Sequence, residues 1–264
     1  MGALLEVRNL SKYFGGLAAV NSVDFHLDQG EILGLIGPNG AGKSTVFNLI
    51  SGFHAPTDGH VLYQGMDITG FKAHKIARLG VGRAFQASTL FMKLSAFDNV
   101  FNGFHRRYTT SIWKSVFHTR AARQEEREAR EEALHILHFL GLSDAKDTVA
   151  QNLAHGHQKT LGVCVAMATK PKLLLLDEPL VGMHPEETAA MSKNISKIRD
   201  SGIAIILVEH NISAVMRLCD RIVVLNHGRK IAEGIPTDIG RDPQVIEAYI
   251  GTDDQEEELV CSSR

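Results

Sequence analysis

Cysteine is scarce in this chain: Cys164, Cys219 and Cys261 are the only three in 264 residues. They are too few and too scattered for a disulfide framework or a zinc site, which points to a reducing, cytosolic compartment. Long apolar runs are missing too. The longest, such as residues 203–208, reach about a third of the roughly 18–20 residues that a transmembrane helix requires. Glu6 and Arg8 interrupt the first stretch, so a signal-peptide apolar segment is not expected there. A strong charge of either sign is also absent. The formal net charge of −2 gives no electrostatic basis for nucleic acid as the main ligand.

What is present is the composition of a globular protein, 44% hydrophobic and 22% charged, in a length that suits one sizeable domain. Residues 4–27 read as strands broken at Gly15 and Gly16. Residues 31–36 form an apolar strand, followed by a glycine-rich loop and an amphipathic helix near 43–51. Two further short apolar strands, 173–176 and 203–208, alternate with helical segments. That order predicts an α/β fold with a mainly parallel sheet. Residues 221–225 and 229–232 flank Asn226, His227 and Gly228 as a β-hairpin. From about 87 to 164 the pattern is helical, with an Arg- and Glu-rich face in which Glu126 precedes Arg130 by one turn. The acidic, then small and polar, stretch 253–264 predicts a disordered tail.

Gly37, Pro38, Asn39, Gly40, Ala41, Gly42, Lys43, Ser44 and Thr45 match G-x-x-x-x-G-K-[ST] between a strand and a helix, the context that this motif requires. The glycines let backbone N–H groups turn inward onto phosphate oxygens, and the helix N-terminus adds its positive dipole end. Lys43 can reach the β- and γ-phosphates, and the Ser44 hydroxyl can ligate Mg²⁺. The run Leu173 to Leu176, then Asp177 and Glu178, supplies the second half. A buried strand carries Asp177 to its C-terminal end, where its carboxylate can hold the Mg²⁺ shell. Glu178, one residue on and facing the other way, can polarise an attacking water.

With these motifs in place, the chain resembles the ABC ATPase family, over about residues 4–250. Gln86 resembles the glutamine that joins the catalytic core to a helical subdomain and senses Mg²⁺ and water. Leu153, Ala154, His155, Gly156 and His157 occupy the signature loop, which in this family completes a partner's ATP site. Residues 181–184 resemble the D-loop, and His210 the switch histidine at the γ-phosphate. Phe14, or its neighbour Tyr13, resembles the aromatic that stacks on adenine. The resemblance implies a P-loop NTPase: a RecA-like core of about 1–86 and 165–234, a helical subdomain of about 87–164 and a C-terminal extension from about 235. It also implies an ATPase that uses ATP and Mg²⁺.

Within the family, the nearest likeness is to ATPases of importers for branched-chain or hydrophobic amino acids. Carrying it are Tyr13 to Leu17, the Leu153-Ala154-x-Gly156 form of the signature and the stretch 242–251. The implied partners are a second ABC ATPase subunit, membrane permeases and, indirectly, an extracytoplasmic binding protein. The implied location is peripheral, on the cytoplasmic face of the inner membrane. Importers of urea or amides, and a non-hydrolysing nucleotide-gated module, are the alternatives. Aromatic and basic residues interleaved over 104–118, including Phe104 and Trp113, fit either ordinary packing of the helical subdomain or a permease contact. The family pattern is broken at Ala154 (usually Ser), His155 (Gly), His157 (Gln), His184 (Asp) and Val165 (Arg).

Overall fold

A computed structural model describes residues 2–84, 90–104 and 120–250. Ten strands are present among them, in two sheets. The first is antiparallel, ordered β2-β1-β4-β5, from β1 (Leu5–Phe14), β2 (Leu17–Leu27), β4 (Asp58–Tyr63) and β5 (Met66–Asp67). The second has six strands ordered β10-β9-β3-β8-β7-β6: β3 (Ile32–Ile36), β6 (Val81–Ala84), β7 (Leu173–Asp177), β8 (Ala204–Val208), β9 (Arg221–Asn226) and β10 (Arg229–Gly234). All its pairings are parallel except the β9–β10 hairpin. The expected parallel sheet is there. Not expected were β4, β5 and β6, or the separate antiparallel sheet.

Both faces of the parallel sheet are covered at its centre, which is why β3, β7 and β8 are apolar almost throughout. Side chains alternate across a strand, so one strand feeds two cores. Ile32 and Ile36 of β3, Leu174 and Leu176 of β7, and Ile205 and Leu207 of β8 pack on the helical side. Leu33, Leu35, Leu173, Leu175 and Ile206 pack on the other side. There they meet α1 (Lys43–Ile50), through Val46, Phe47 and Ile50, and the antiparallel sheet.

The remaining described helices are α2 (Ala73–Arg78), α3 (Ala96–Phe104), α4 (Arg120–Phe139), α5 (His155–Met167), α6 (Pro185–Asp200), α7 (Ile212–Leu218), α8 (Pro236–Ile239) and α9 (Pro243–Ile250). α3 packs on both α4 and α5, giving the helical region expected before the Asp177 strand. The Glu126–Arg130 pair forms at 3.0 Å and is exposed, so its contribution is small. Phe104 separates the two readings of its segment. It is 1% exposed in the helical core, so it is packing and not a permease contact. Trp113 and the rest of that segment, residues 105–119, lie outside the described residues, as do Cys261 and the tail. Cys164 and Cys219 are buried free thiols whose pKa burial pushes up, which makes both unreactive.

The topology places the ends of β3, β7 and β8 side by side, with β8 between the other two. The loops that leave these C-terminal ends carry the phosphate motif, Asp177 with Glu178, and His210. Such an edge is where open α/β sheets bind their ligands.

Candidate functional site

Residues 37–42 connect β3 to α1, and their backbone is one that only glycine can follow at two points. Gly37 has φ +150° and Gly42 has φ +102°. A Cβ would stand 2.1 Å from the Leu225 carbonyl at the first and 2.5 Å from the Ala19 carbonyl at the second. The β9–β10 turn supports this loop from behind. His227 and Gly228 both have positive φ, as a two-residue type I′ hairpin needs. The Gly228 N–H donates to the Ala41 carbonyl at 3.1 Å. α1 starts with no side-chain cap and no acidic residue in its first turn. Its first N–H groups and the positive end of its dipole are therefore directed at the loop.

Lys43 is buried at the start of α1, and its Nζ donates to the carbonyls of Gly37 at 2.6 Å and Pro38 at 3.0 Å. Burial lowers its pKa, while the charges of Glu178 and Asp177 oppose that shift. Ser44 beside it is exposed, and Thr45 and Asn39 flank it at the rim. Tyr13 and Phe14 both stand exposed at the end of β1, at 42% and 45%. The Phe14 ring meets His54 edge-on at 5.6 Å and carries the Lys12 ammonium 5.2 Å from its centre.

Asp177 ends β7 with its Oδ2 3.2 Å from Nη2 of Arg83. Burial raises the Asp177 pKa, and the guanidinium works against that. Arg83 reaches Asp177 from β6 because its other nitrogen, Nη1, is tied to α1. It donates to Asn48 Oδ1 at 2.8 Å and Ser51 Oγ at 2.9 Å, and the guanidinium stacks on Phe47 and Phe53.

Glu178 does not simply continue the strand's alternation. It has φ +51°, a left-handed conformation uncommon for a residue with a side chain. Its N–H donates to the Val208 carbonyl at 2.9 Å, and its Oε1 lies 2.9 Å from Nε2 of His210. Both side chains remain partly exposed, at 25% and 31%. A carboxylate held against an imidazole, with an open side, can accept a proton from water. Lys43, Asp177, Glu178 and His210 thus come together at one edge of the sheet. Gln86 lies outside the described residues.

The pattern of the ABC transporter family matches residues 20–181. The chain belongs to that family. A second pattern, that of the branched-chain amino acid ATP-binding cassette transporter, matches residues 229–255 of this ABC ATPase. The high-affinity branched-chain amino acid transport ATP-binding protein BraF of Pseudomonas aeruginosa is 42% identical over 94% of this chain and 98% of its own length. LivG of Escherichia coli K12, of the same description, is 40% identical over the same shares. The ADP conformation of MJ1267, an ATP-binding cassette of an ABC transporter, superposes with a TM-score of 0.83 at 30% identity. That match covers 95% of this chain and all of the other.

The residues that resemble the signature loop lead into α5, which starts at His155. Leu153 and Gly156 are buried, whereas Ala154, His155 and His157 are exposed. Ala154 stands at the N-cap and offers no side-chain acceptor to the helix. The His155 ring approaches Gly182 of the chain's own D-loop. The Gly156 N–H donates to Oε1 of Glu187 at 3.3 Å. His184, where the family has aspartate, still caps α6: it forms a capping box with Glu187, whose Oε2 accepts the His184 N–H at 3.1 Å.

Four residues of the site escaped the sequence reading. Arg83 is the one cation on β6, three residues before Gln86. Glu209 precedes His210 and is 1% exposed. Lys159 lies in α5 and donates to the Glu178 carbonyl at 3.0 Å. Tyr249 of α9 is buried with its hydroxyl hydrogen-bonded by the Gly37 backbone, which ties the C-terminal extension to the phosphate loop. Buried ionisable groups need partners, so an acid or base inside an apolar segment is a signal that sequence does carry. Its partner is not.

Proposed function

We propose that this ABC ATPase hydrolyses ATP in a head-to-tail pair with a second ATPase subunit, driving a permease that imports branched-chain or other hydrophobic amino acids. The observation that carries the hydrolytic reading is the Glu178–His210 contact at 2.9 Å, beside Lys43 at the sheet's C-terminal edge. The cargo reading rests on the match at 229–255 and on the names of BraF and LivG.

In this reading the N–H groups of Gly40, Gly42, Lys43 and Ser44 receive phosphate oxygens, with Pro38, Asn39 and Ala41 shaping the loop. Lys43 exchanges its two carbonyl acceptors for the β- and γ-phosphates. Phe14 supplies the aromatic face for adenine. Glu178 takes a proton from water as its oxygen bonds to the γ-phosphorus and the bond to ADP breaks. His210 orients that carboxylate and contacts the γ-phosphate.

The hard oxygen donors Ser44 and Asp177 suit Mg²⁺, with Asp177 acting through water and Gln86 near the attacking water. Bound there, the ion would neutralise phosphate charge. Asp177 is partly buried and already held by a cation, so its position is fixed before any metal arrives.

The segment of about 87–164 acts as the helical subdomain between the core halves at about 1–86 and 165–234, followed by the extension from 235. Leu153, Ala154, His155, Gly156 and His157 face the partner's ATP. Among the described residues no helix is long and apolar enough to cross a membrane. Attachment at the cytoplasmic face therefore runs through the permease, with a binding protein supplying cargo from the other side. Loss of the gene should abolish ATP-dependent uptake of labelled leucine, isoleucine and valine, with recovery by the wild-type gene and not by a Lys43→Ala copy. Unchanged uptake of all three would reject the cargo.

A further inference from the structure

The left-handed backbone of Glu178 is held from three directions. Its N–H is taken by Val208 of β8, its carboxylate by His210, and its carbonyl by Lys159 of α5. The first two come from β8 and the loop that leaves it. The third comes from α5, so Glu178 is held from the helical side as well as from β8.

Lys159 is half-buried, and desolvation lowers its pKa while Glu209 and Glu178 oppose the shift. Glu209, buried and with its pKa raised by desolvation, is the acid whose charge acts most on it. Its Oε1 accepts the Leu180 N–H at 2.5 Å and its Oε2 accepts the His210 N–H at 3.2 Å. Glu209 therefore clamps the chain on both sides of the catalytic pair, two residues after Glu178 and at His210. A buried carboxylate in that position needs a nearby cation as well as hydrogen bonds.

We propose that Lys159 is a positioning residue for Glu178, its ammonium fixing the Glu178 carbonyl and balancing the Glu209 carboxylate that clamps the surrounding turns. The proposal rests on Glu178 being the group that activates water. Lys159 touches no reacting atom. It acts by keeping the strained turn in one geometry, and misplacement of a reacting group by about 1 Å can cost on the order of 10²-fold in rate. The phosphate loop is held by contacts that do not involve Lys159, the Gly228 N–H on the Ala41 carbonyl and Lys43 on the Gly37 and Pro38 carbonyls, so nucleotide affinity should be insensitive to Lys159.

The test uses the full chain in its transporter complex, with Lys159→Met to keep the stem and remove the charge, and Lys159→Arg to restore it. The expected result for Lys159→Met is a fall in kcat of roughly 10- to 100-fold, with KM and equilibrium Mg-ATP binding within about twofold. Lys159→Arg should recover most of the rate. In a Glu178→Gln background, Lys159→Met should add almost nothing, because both changes remove the same step. An unchanged kcat in Lys159→Met, while Glu178→Gln is slow, overturns the role of Lys159 alone. A rapid Glu178→Gln enzyme overturns the reading of Glu178 on which it rests. If ATP affinity, melting temperature and kcat all fall together and arginine restores none of them, Lys159 is structural and the proposal fails.

Discussion

Glu178→Gln should leave Mg-ATP bound and slow its hydrolysis by about 10²- to 10⁴-fold, the usual cost of removing a general base. That corresponds to roughly 3–5 kcal/mol of transition-state stabilisation. The substitution keeps the shape and the contact with His210, because an amide can donate or accept at the 2.9 Å separation. It removes only the capacity to take a proton. The measurement is phosphate release by the assembled complex, alongside retention of nucleotide after rapid removal of free ATP. Near-wild-type release would take Glu178 out of the role.

Lys43→Ala should act earlier and remove nucleotide binding itself. The buried ammonium is folded onto the Gly37 and Pro38 carbonyls, so it already lies along the phosphate loop. A charge-assisted hydrogen bond is worth about 1.5–3 kcal/mol. Loss of contacts to two phosphates should therefore weaken ATP by 10²-fold or more on the tenfold-per-1.4-kcal/mol scale. The loop should survive, since its glycine φ values and the Gly228 N–H on the Ala41 carbonyl still shape it. Titration with a fluorescent ATP analogue would measure the change. Affinity within threefold of wild type, in a variant that melts normally, would contradict the assignment.

The phosphate loop was legible because glycine, lysine and a flanking apolar strand leave one physical solution for a chain that binds phosphate. The buried strands β3, β7 and β8 were legible because strands covered on both faces must be apolar throughout. β4 and β6 were not. β4 offers only Val61 and Tyr63 to the core and contains Gly59, and β6 is four residues long with Gly82 and Arg83 inside it. Neither presents a hydrophobic period, and both exist through pairing with distant strands. Arg83 was invisible for the same reason: its role depends on Asp177, 94 positions away. Glu178 was found by its place after Asp177, but strand alternation gave the wrong reason. Its direction comes from a left-handed residue that His210 and Lys159 hold in place.

We propose that the loop at residues 153–157 makes the two ATP sites of the pair unequal. In that reading this chain's own site has Lys43, Asp177, Glu178 and His210, whereas the loop it would lend to the partner's site carries Ala154, which has no hydroxyl to donate to a γ-phosphate. The Gly156 N–H there is engaged by Glu187, and the exposed His155 and His157 replace glycine and glutamine of the family pattern. Turnover by the assembled complex, with each site disabled in turn, tests this most directly. Glu178→Gln in this chain should stop most ATP hydrolysis, and the equivalent substitution in the partner should stop little. Equal losses from the two substitutions would contradict the account.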